Sequence, residues 1–258
     1  MSSGLSNNIL GAWYIDSVRV TPSATELNLM DGLTLAPINK VSVRIITSTS
    51  TYTPTAGMVY CIVEGVGGGG GGGGAATTAA AQGAAGCGGG AGGYFRKLFT
   101  AAEIGADAAV TIGAAGAAGA AGNNAGGNGG DTIFNPAGTG ATLTASAGLG
   151  GAGQGAQTSI NTNDGAGVGG TATNGDLNIQ GSYGFRGWTQ AATGNQSSGG
   201  EGADSKWGVG GRASTNMGGG AAQQNGAGGA GGATYNGTQT AGGVGTIGLV
   251  VVTEFISS

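Results

Sequence analysis

The chain has 258 residues, 64 of them glycine, with 8 basic and 12 acidic side chains, no histidine and a formal net charge of −4. So little positive charge leaves no basic patch for nucleic acid, and the missing histidine removes Ser-His-Asp and Cys-His catalytic arrangements and imidazole metal sites. No apolar run reaches the ~18 residues of a membrane-spanning helix.

The first 40 residues are mixed in composition and hold no glycine run. Their opening, MSSGLSNNIL, lacks the charged-then-apolar layout of a secretory signal. The expectation is synthesis in a cytoplasm without export, with Cys61 and Cys87 as free thiols rather than a disulfide.

Strand signals begin at residue 41. VSVRII (41–46) alternates apolar and polar residues, the mark of a half-buried strand. MVYCIVEGV (58–66) is denser and β-branched. YFRKLF (94–99) and AAVTIG (108–113) read as a pair joined by TAAEIGAD, and TIGLVVVTEFI (246–256) reads as a central, well-buried strand. These five predict a small antiparallel β-sandwich root over 41–112 and 244–258, with almost no α-helix.

Between them, residues 113–243 are glycine-rich and poor in Leu, Ile, Val and Phe, so an ordinary oily core cannot form there. Glycine recurs at every third position at Gly113, Gly116, Gly119 and Gly122. Period 3 matches neither an α-helix nor a strand, but it matches the three residues per turn of polyproline II. Such a helix makes no internal hydrogen bonds, so its backbone groups need lateral partners. A glycine edge lets neighbouring helices come close enough to supply them. With four prolines in all, a collagen triple helix is disfavoured. The prediction is a bundle of polyproline II-type runs from one chain, at 65–74, 83–93, 113–130, 148–155, 165–170, 218–232 and 242–248. A flexible linker would have no reason to return to the root, as this chain does in its last strand.

The segments between runs carry six of the fourteen aromatics: Phe134, Tyr183, Phe185, Trp188, Trp207 and Tyr235. Rings beside Ser, Asn and Gly are what binding loops use, because they offer contact area at low entropic cost. Phe134 fits better as internal packing. The candidate binding residues are Tyr183, Phe185, Arg186, Trp188, Lys206, Trp207 and Tyr235. No catalytic, metal or cofactor site is expected. The match of GLGGAG (148–153) to a dinucleotide fingerprint has no preceding strand, and arises by chance in so glycine-rich a chain.

Two stretches resemble known proteins. ATELNLMDGLT (24–34) resembles a unit of bacteriophage tail-fibre shafts, which are homotrimers; Met30 and Leu33 depart from the usual Leu and Val. KVSVRIITSTSTYTPTAGMVYCIVEGVGGGGGGGG, GGYFRKLFTAAEIGADAAVTIGAAG, GDLNIQG and GLVVVTEF are similar to the glycine-rich tip domain of phage tail fibres and the adhesins of T-even-like phages. The resemblance implies a shaft or attachment segment over 1–40 and a tip domain over 41–258. It implies a virion location at the distal tail fibre and a non-enzymatic role in host attachment. The partners it implies are other tail-fibre subunits and a bacterial cell-surface receptor, an outer-membrane protein or a surface glycan. The assembly would be a homotrimer, or a monomeric cap on a trimeric fibre. A purely structural fibre protein and an ice-binding bundle are the alternatives.

Overall fold

The computed structural model describes residues 13–15, 18–20, 38–191 and 196–257, and the chain divides into two units, Met1–Pro37 and Ile38–Ser258. In the first, β1 (Trp13–Ile15) and β2 (Val18–Val20) form an antiparallel pair with Trp13 opposite Val20. The shaft-like stretch 24–34 lies outside the described residues.

The second unit contains β3 (Ile38–Ile46), β4 (Ser50–Tyr52), β5 (Met58–Val66), β6 (Gly83–Ala85), β7 (Tyr94–Thr100), β8 (Ala108–Thr111), β9 (Thr132–Pro136), β10 (Leu143–Ala145), β11 (Ile160–Asn163), β12 (Ala172–Thr173), β13 (Leu177–Ile179), β14 (Gly187–Gln190), β15 (Gln196–Ser198), β16 (Ala233–Tyr235) and β17 (Leu249–Ser257). Two five-stranded antiparallel sheets, ordered β13-β7-β5-β17-β3 and β12-β10-β9-β8-β4, form the root. Their facing sides share one core: Cys61, Val63, Phe95, Phe99, Val250 and Val252 from the first sheet meet Tyr52, Val110, Phe134 and Leu143 from the second. The predicted sandwich is present, and β17 runs between β5 and β3 as a central strand.

Three expectations need correction. The stretches 94–99 and 108–113 do not pair. β7 lies in one sheet and β8 in the other, because the chain between them turns through a short helix, Ala101–Ile104. That helix starts on a capping box, in which Thr100 and Glu103 bond each other's backbone N–H. β3 alternates as expected, but its apolar residues point the other way. Val41, Val43 and Ile45 are 55%, 59% and 68% exposed. The side of β3 facing the core carries Arg44, held to Glu254 at 3.5 Å. Finally, the segment 131–145, expected only to connect two glycine runs, contributes β9 and β10 to the second sheet, and Phe134 is fully buried against Tyr52 and Phe99, as internal packing requires.

Beyond the root, the glycine runs form a bundle held by backbone hydrogen bonds. The eight N–H groups of residues 67–74 donate in strict rotation to three antiparallel neighbours. Gly67, Gly70 and Gly73 bond Gly93, Gly90 and Cys87; Gly68, Gly71 and Gly74 bond Gly130, Gly127 and Asn124; Gly69 and Gly72 bond Thr246 and Gly243; all lie at 2.8–3.0 Å. The carbonyls accept in the same rotation from three parallel neighbours. Gly116 and Gly119 donate to Gly69 and Gly72, Gly148 and Gly151 to Gly68 and Gly71, and Gly229 and Gly232 to Gly70 and Gly73. A threefold rotation on both donor and acceptor sides is the symmetry of a polyproline II-type helix ringed by six others.

This packing explains why nothing larger than glycine occurs along 67–74. A Cβ placed on any of the eight would lie 1.9–2.3 Å from a neighbour's carbonyl oxygen. The outer run 113–122 faces the interior on one side only. Gly113, Gly116 and Gly119 are buried, whereas Ala114, Ala117 and Ala120 are exposed. The three-residue period is therefore one inward edge and two outward positions per turn.

Two predicted runs are each two helices. Residues 113–130 turn at 121–123 and fold back, with Gly127 and Gly130 donating to Ala117 and Ala114. Residues 218–232 turn likewise, so that Ala230 donates to Gly220.

A distal sheet face as the candidate binding site

Bond register fixes which end of the bundle is which. Runs leave the root after β5, β8 and β10 and return to it at β7, β9 and β17. The far end is closed by two small sheets, β11-β14-β15 and β16-β6. Their shared interior is made of small side chains, apolar and hydroxyl-bearing: Ala84, Ala85, Thr189, Ser197 and Thr234 are buried. So slight a core suffices because the strand ends are already positioned by the rods.

The outer face of β11-β14-β15 follows from alternation along each strand. Trp188 sits on the middle strand, 42% exposed, directly opposite Thr162 on one side and Ser198 on the other. Gln190, two residues on, is opposite Ile160 and Gln196. Thr189 and Ser197, of the other parity, are buried beneath. The result is an aromatic ring on a rigid strand, framed by hydroxyl and amide groups without formal charge.

Alongside it, the run leading into β14 carries Tyr183 and Phe185, 55% and 61% exposed. Together with Ala166, Val168, Asp164 and Arg186 they line an open groove of about 520 Å³. The Arg186 guanidinium pairs with the Asp164 carboxylate at 3.0 Å. Tyr183, Phe185 and Arg186 thus share one groove, on the run that leads directly into the strand carrying Trp188.

The other candidates lie elsewhere. Tyr235 is half-buried on β16, opposite Gly83, with its hydroxyl donating to the Ala191 carbonyl at 3.4 Å. Lys206 and Trp207 are at the root end. The Trp207 ring meets Tyr94 edge-on at 5.4 Å between centroids, and the Lys206 ammonium lies 5.8 Å from the same ring's centre. The Tyr94 hydroxyl in turn donates to the Glu64 carboxylate. Burial, then the bonded and neighbouring Glu64 carboxylate, push the Tyr94 phenol well above its ordinary range. Trp207 is accordingly a clasp between the base of the bundle and the root.

Sequence reasoning missed Ile160, Thr162, Gln190, Gln196 and Ser198 as neighbours of Trp188. The only signal was the short alternation in INTN, and a three-residue strand such as β15 carries no readable period. Among the described residues no group of three or more His, Cys, Asp or Glu side chains is placed to hold a metal ion. Among them too, no helix is long and apolar enough to cross a membrane.

A search of curated proteins finds no match. A family model described as a glycine-rich domain matches residues 45–254, so the chain belongs to that family.

Proposed function

We propose that this member of the glycine-rich domain family is the tip of a bacteriophage tail fibre that recognises a receptor on the bacterial surface. The observation that carries the reading is the distal sheet. Trp188 is presented to solvent there, on a strand mounted at the far end of a scaffold of backbone hydrogen bonds. Rigidly held aromatics lose little entropy on binding and dominate binding energies at interfaces. The scaffold separates stability from recognition: the root core and the inner rods hold the fold, so surface residues at the far end can vary without disturbing either. The shaft-like stretch at 24–34 supports the same placement in a fibre.

In this reading Tyr183, Phe185, Arg186 and Trp188 form the contact surface, Tyr235 supports the far end, and Lys206 and Trp207 brace the base. No chemical step is involved, and no cofactor is required.

The test is binding of fluorescently labelled chain to bacterial strains with defined envelope deletions. Binding that is lost with one envelope component, and that the unlabelled chain competes away, is expected. A folded chain that binds no susceptible strain and does not block phage adsorption would overturn the reading in favour of a purely structural role.

A further inference from the structure

The chain contains four Asn-Gly steps, at 128–129, 174–175, 225–226 and 236–237. Asparagine is chemically labile, and most so before glycine, whose backbone nitrogen has no neighbouring side chain to hinder it. That nitrogen can attack Cγ of the asparagine amide. A new N–C bond closes a succinimide ring, the Cγ–Nδ2 bond breaks, and ammonia leaves with the proton that the glycine nitrogen gives up. Water then opens the ring at either carbonyl, giving aspartate or isoaspartate, the second with one extra carbon in the main chain. No oxidant or reductant is involved.

A glycine N–H that donates a hydrogen bond is held back from this attack, and all four are donors. They are not held alike. Gly129 donates to the Gly148 carbonyl at 3.0 Å and Gly226 to the Ile247 carbonyl at 2.8 Å, both between neighbouring glycine runs, so releasing either means parting the runs. Gly237 donates to the Thr78 hydroxyl at 3.1 Å; Thr78 is buried, and its own backbone N–H returns a bond to the Gly237 carbonyl at 2.9 Å. Gly175 donates to Asn178 Oδ1 at 3.0 Å, and Asn178 Nδ2 donates to the Gly175 carbonyl at 2.8 Å. Asn178 is exposed, so one rotation of a surface side chain removes both bonds. The Asn174 amide is itself at the surface, where Nδ2 donates to the Thr142 carbonyl at 2.8 Å. Exposed bonds of this kind open locally, without unfolding what surrounds them.

We propose that Asn174 is the deamidation site of this chain, and that the Asn178 side chain guards it. Asn174 lies between β12 of the second root sheet and β13 of the first. Conversion places a new carboxylate two residues from Asp176, whose own carboxylate holds the Lys97 ammonium and the Leu98 N–H, each at 2.9 Å. Isoaspartate also lengthens the link between the sheets. Both products loosen β13, the strand that leads into the run bearing Tyr183 and Phe185. The inference rests on hydrogen bonds around the four steps and is independent of the receptor reading.

Peptide mapping by mass spectrometry tests it, on the full chain kept for weeks at mildly alkaline pH, once folded and once in denaturant. The rate at each asparagine in the folded chain is divided by its rate in the unfolded chain. Asn174 is expected to keep the largest ratio, about tenfold or more above Asn128 and Asn225, with Asn236 behind it. Asn178→Ala, at an exposed position, should speed conversion of Asn174 several-fold and leave the other three unchanged, with the native circular dichroism spectrum retained. A folded chain in which Asn174 is as protected as Asn128 and Asn225, or in which Asn236 converts faster, overturns the proposal. So does a folded Asn178→Ala variant that converts Asn174 no faster than the native chain.

Discussion

The Tyr52 hydroxyl donates a hydrogen bond to the Glu254 carboxylate at 2.8 Å, across the root core and between residues 202 apart in sequence. The same carboxylate accepts from the Thr55 backbone N–H at 2.9 Å and its hydroxyl at 2.7 Å, and Arg44 lies 3.5 Å away. Glu254 is fully buried, and it joins the last strand to β4 and the turn that follows it.

That network makes stability depend on pH. Burial opposes ionisation of Glu254, but the Thr55 and Tyr52 hydrogen bonds and the Arg44 charge outweigh it, so the carboxyl titrates below its ordinary value. A group depressed in the folded state contributes stability above its unfolded pKa of ~4.3 and loses it as pH falls through the folded value. Asp176 and Glu103, held low first by backbone N–H donors, act in the same direction. Melting temperature should therefore be level from neutral pH to about 5 and fall below about 4. Glu254→Gln should cost about 1–3 kcal/mol at neutral pH and flatten that acid slope without abolishing it. Thermal melts of both chains across the pH range provide the check.

The bundle should discriminate sharply between glycines. A methyl group at Gly71 would lie 1.9 Å from the Ala117 carbonyl oxygen, in the fully enclosed central run. At Gly155 the nearest atom is 3.7 Å away. Gly71→Ala should destabilise by about 3 kcal/mol or more, because backbone on both sides must separate. Gly155→Ala should be neutral or gain up to about 1 kcal/mol by restricting the unfolded chain. Denaturant unfolding of the two variants is the comparison; equal midpoints would contradict the packing described for the central run.

The aromatics should divide into two kinds. Trp188→Ala and Phe185→Ala should lower cell-surface binding at least tenfold each while leaving the melting temperature within a degree or two, since truncating an interface anchor costs about 2 kcal/mol or more. Trp207→Ala should do the reverse, costing about 1 kcal/mol of stability through loss of the edge-on contact with Tyr94 and leaving affinity near wild type. Binding titrations and melts on the same preparations separate the two groups.

Both cysteines are buried and free, and burial, with the Glu254 charge next, pushes the Cys61 thiol up to about 12. Thiolate is the reacting species, so neither residue should be alkylated by iodoacetamide in the native protein at pH 8. Both should react once the chain is unfolded, as counted by mass spectrometry. Modification of Cys61 in the native state would mean that the root core opens.

Much of this architecture was legible before the structure. The strand stretches at 58–66 and 246–256 announced themselves by dense β-branched sequence, and the spacing of Gly113, Gly116 and Gly119 announced a threefold helix. Other features were hidden for a physical reason. Alternation in VSVRII marks a strand but not which side of it is covered, and Val41, Val43 and Ile45 turned outward. The run 113–130 reads as continuous because a turn between two such helices needs no residue that the helices themselves avoid. Trp188 could be nominated as exposed, but its companions Thr162 and Ser198 come from strands 26 and 10 residues away that meet only through register.

What the sequence by itself determined was composition-driven: a β root where apolar residues concentrate, and backbone-bonded rods where side chains are too small for any other packing. What only the tertiary structure decided was adjacency. Which rods enclose 67–74, which aromatics share a face with Trp188, and which end of the molecule Trp207 occupies all depend on lateral backbone hydrogen bonds. Every residue but proline carries the same donor and acceptor, so these bonds leave no residue-specific mark in the chain that makes them.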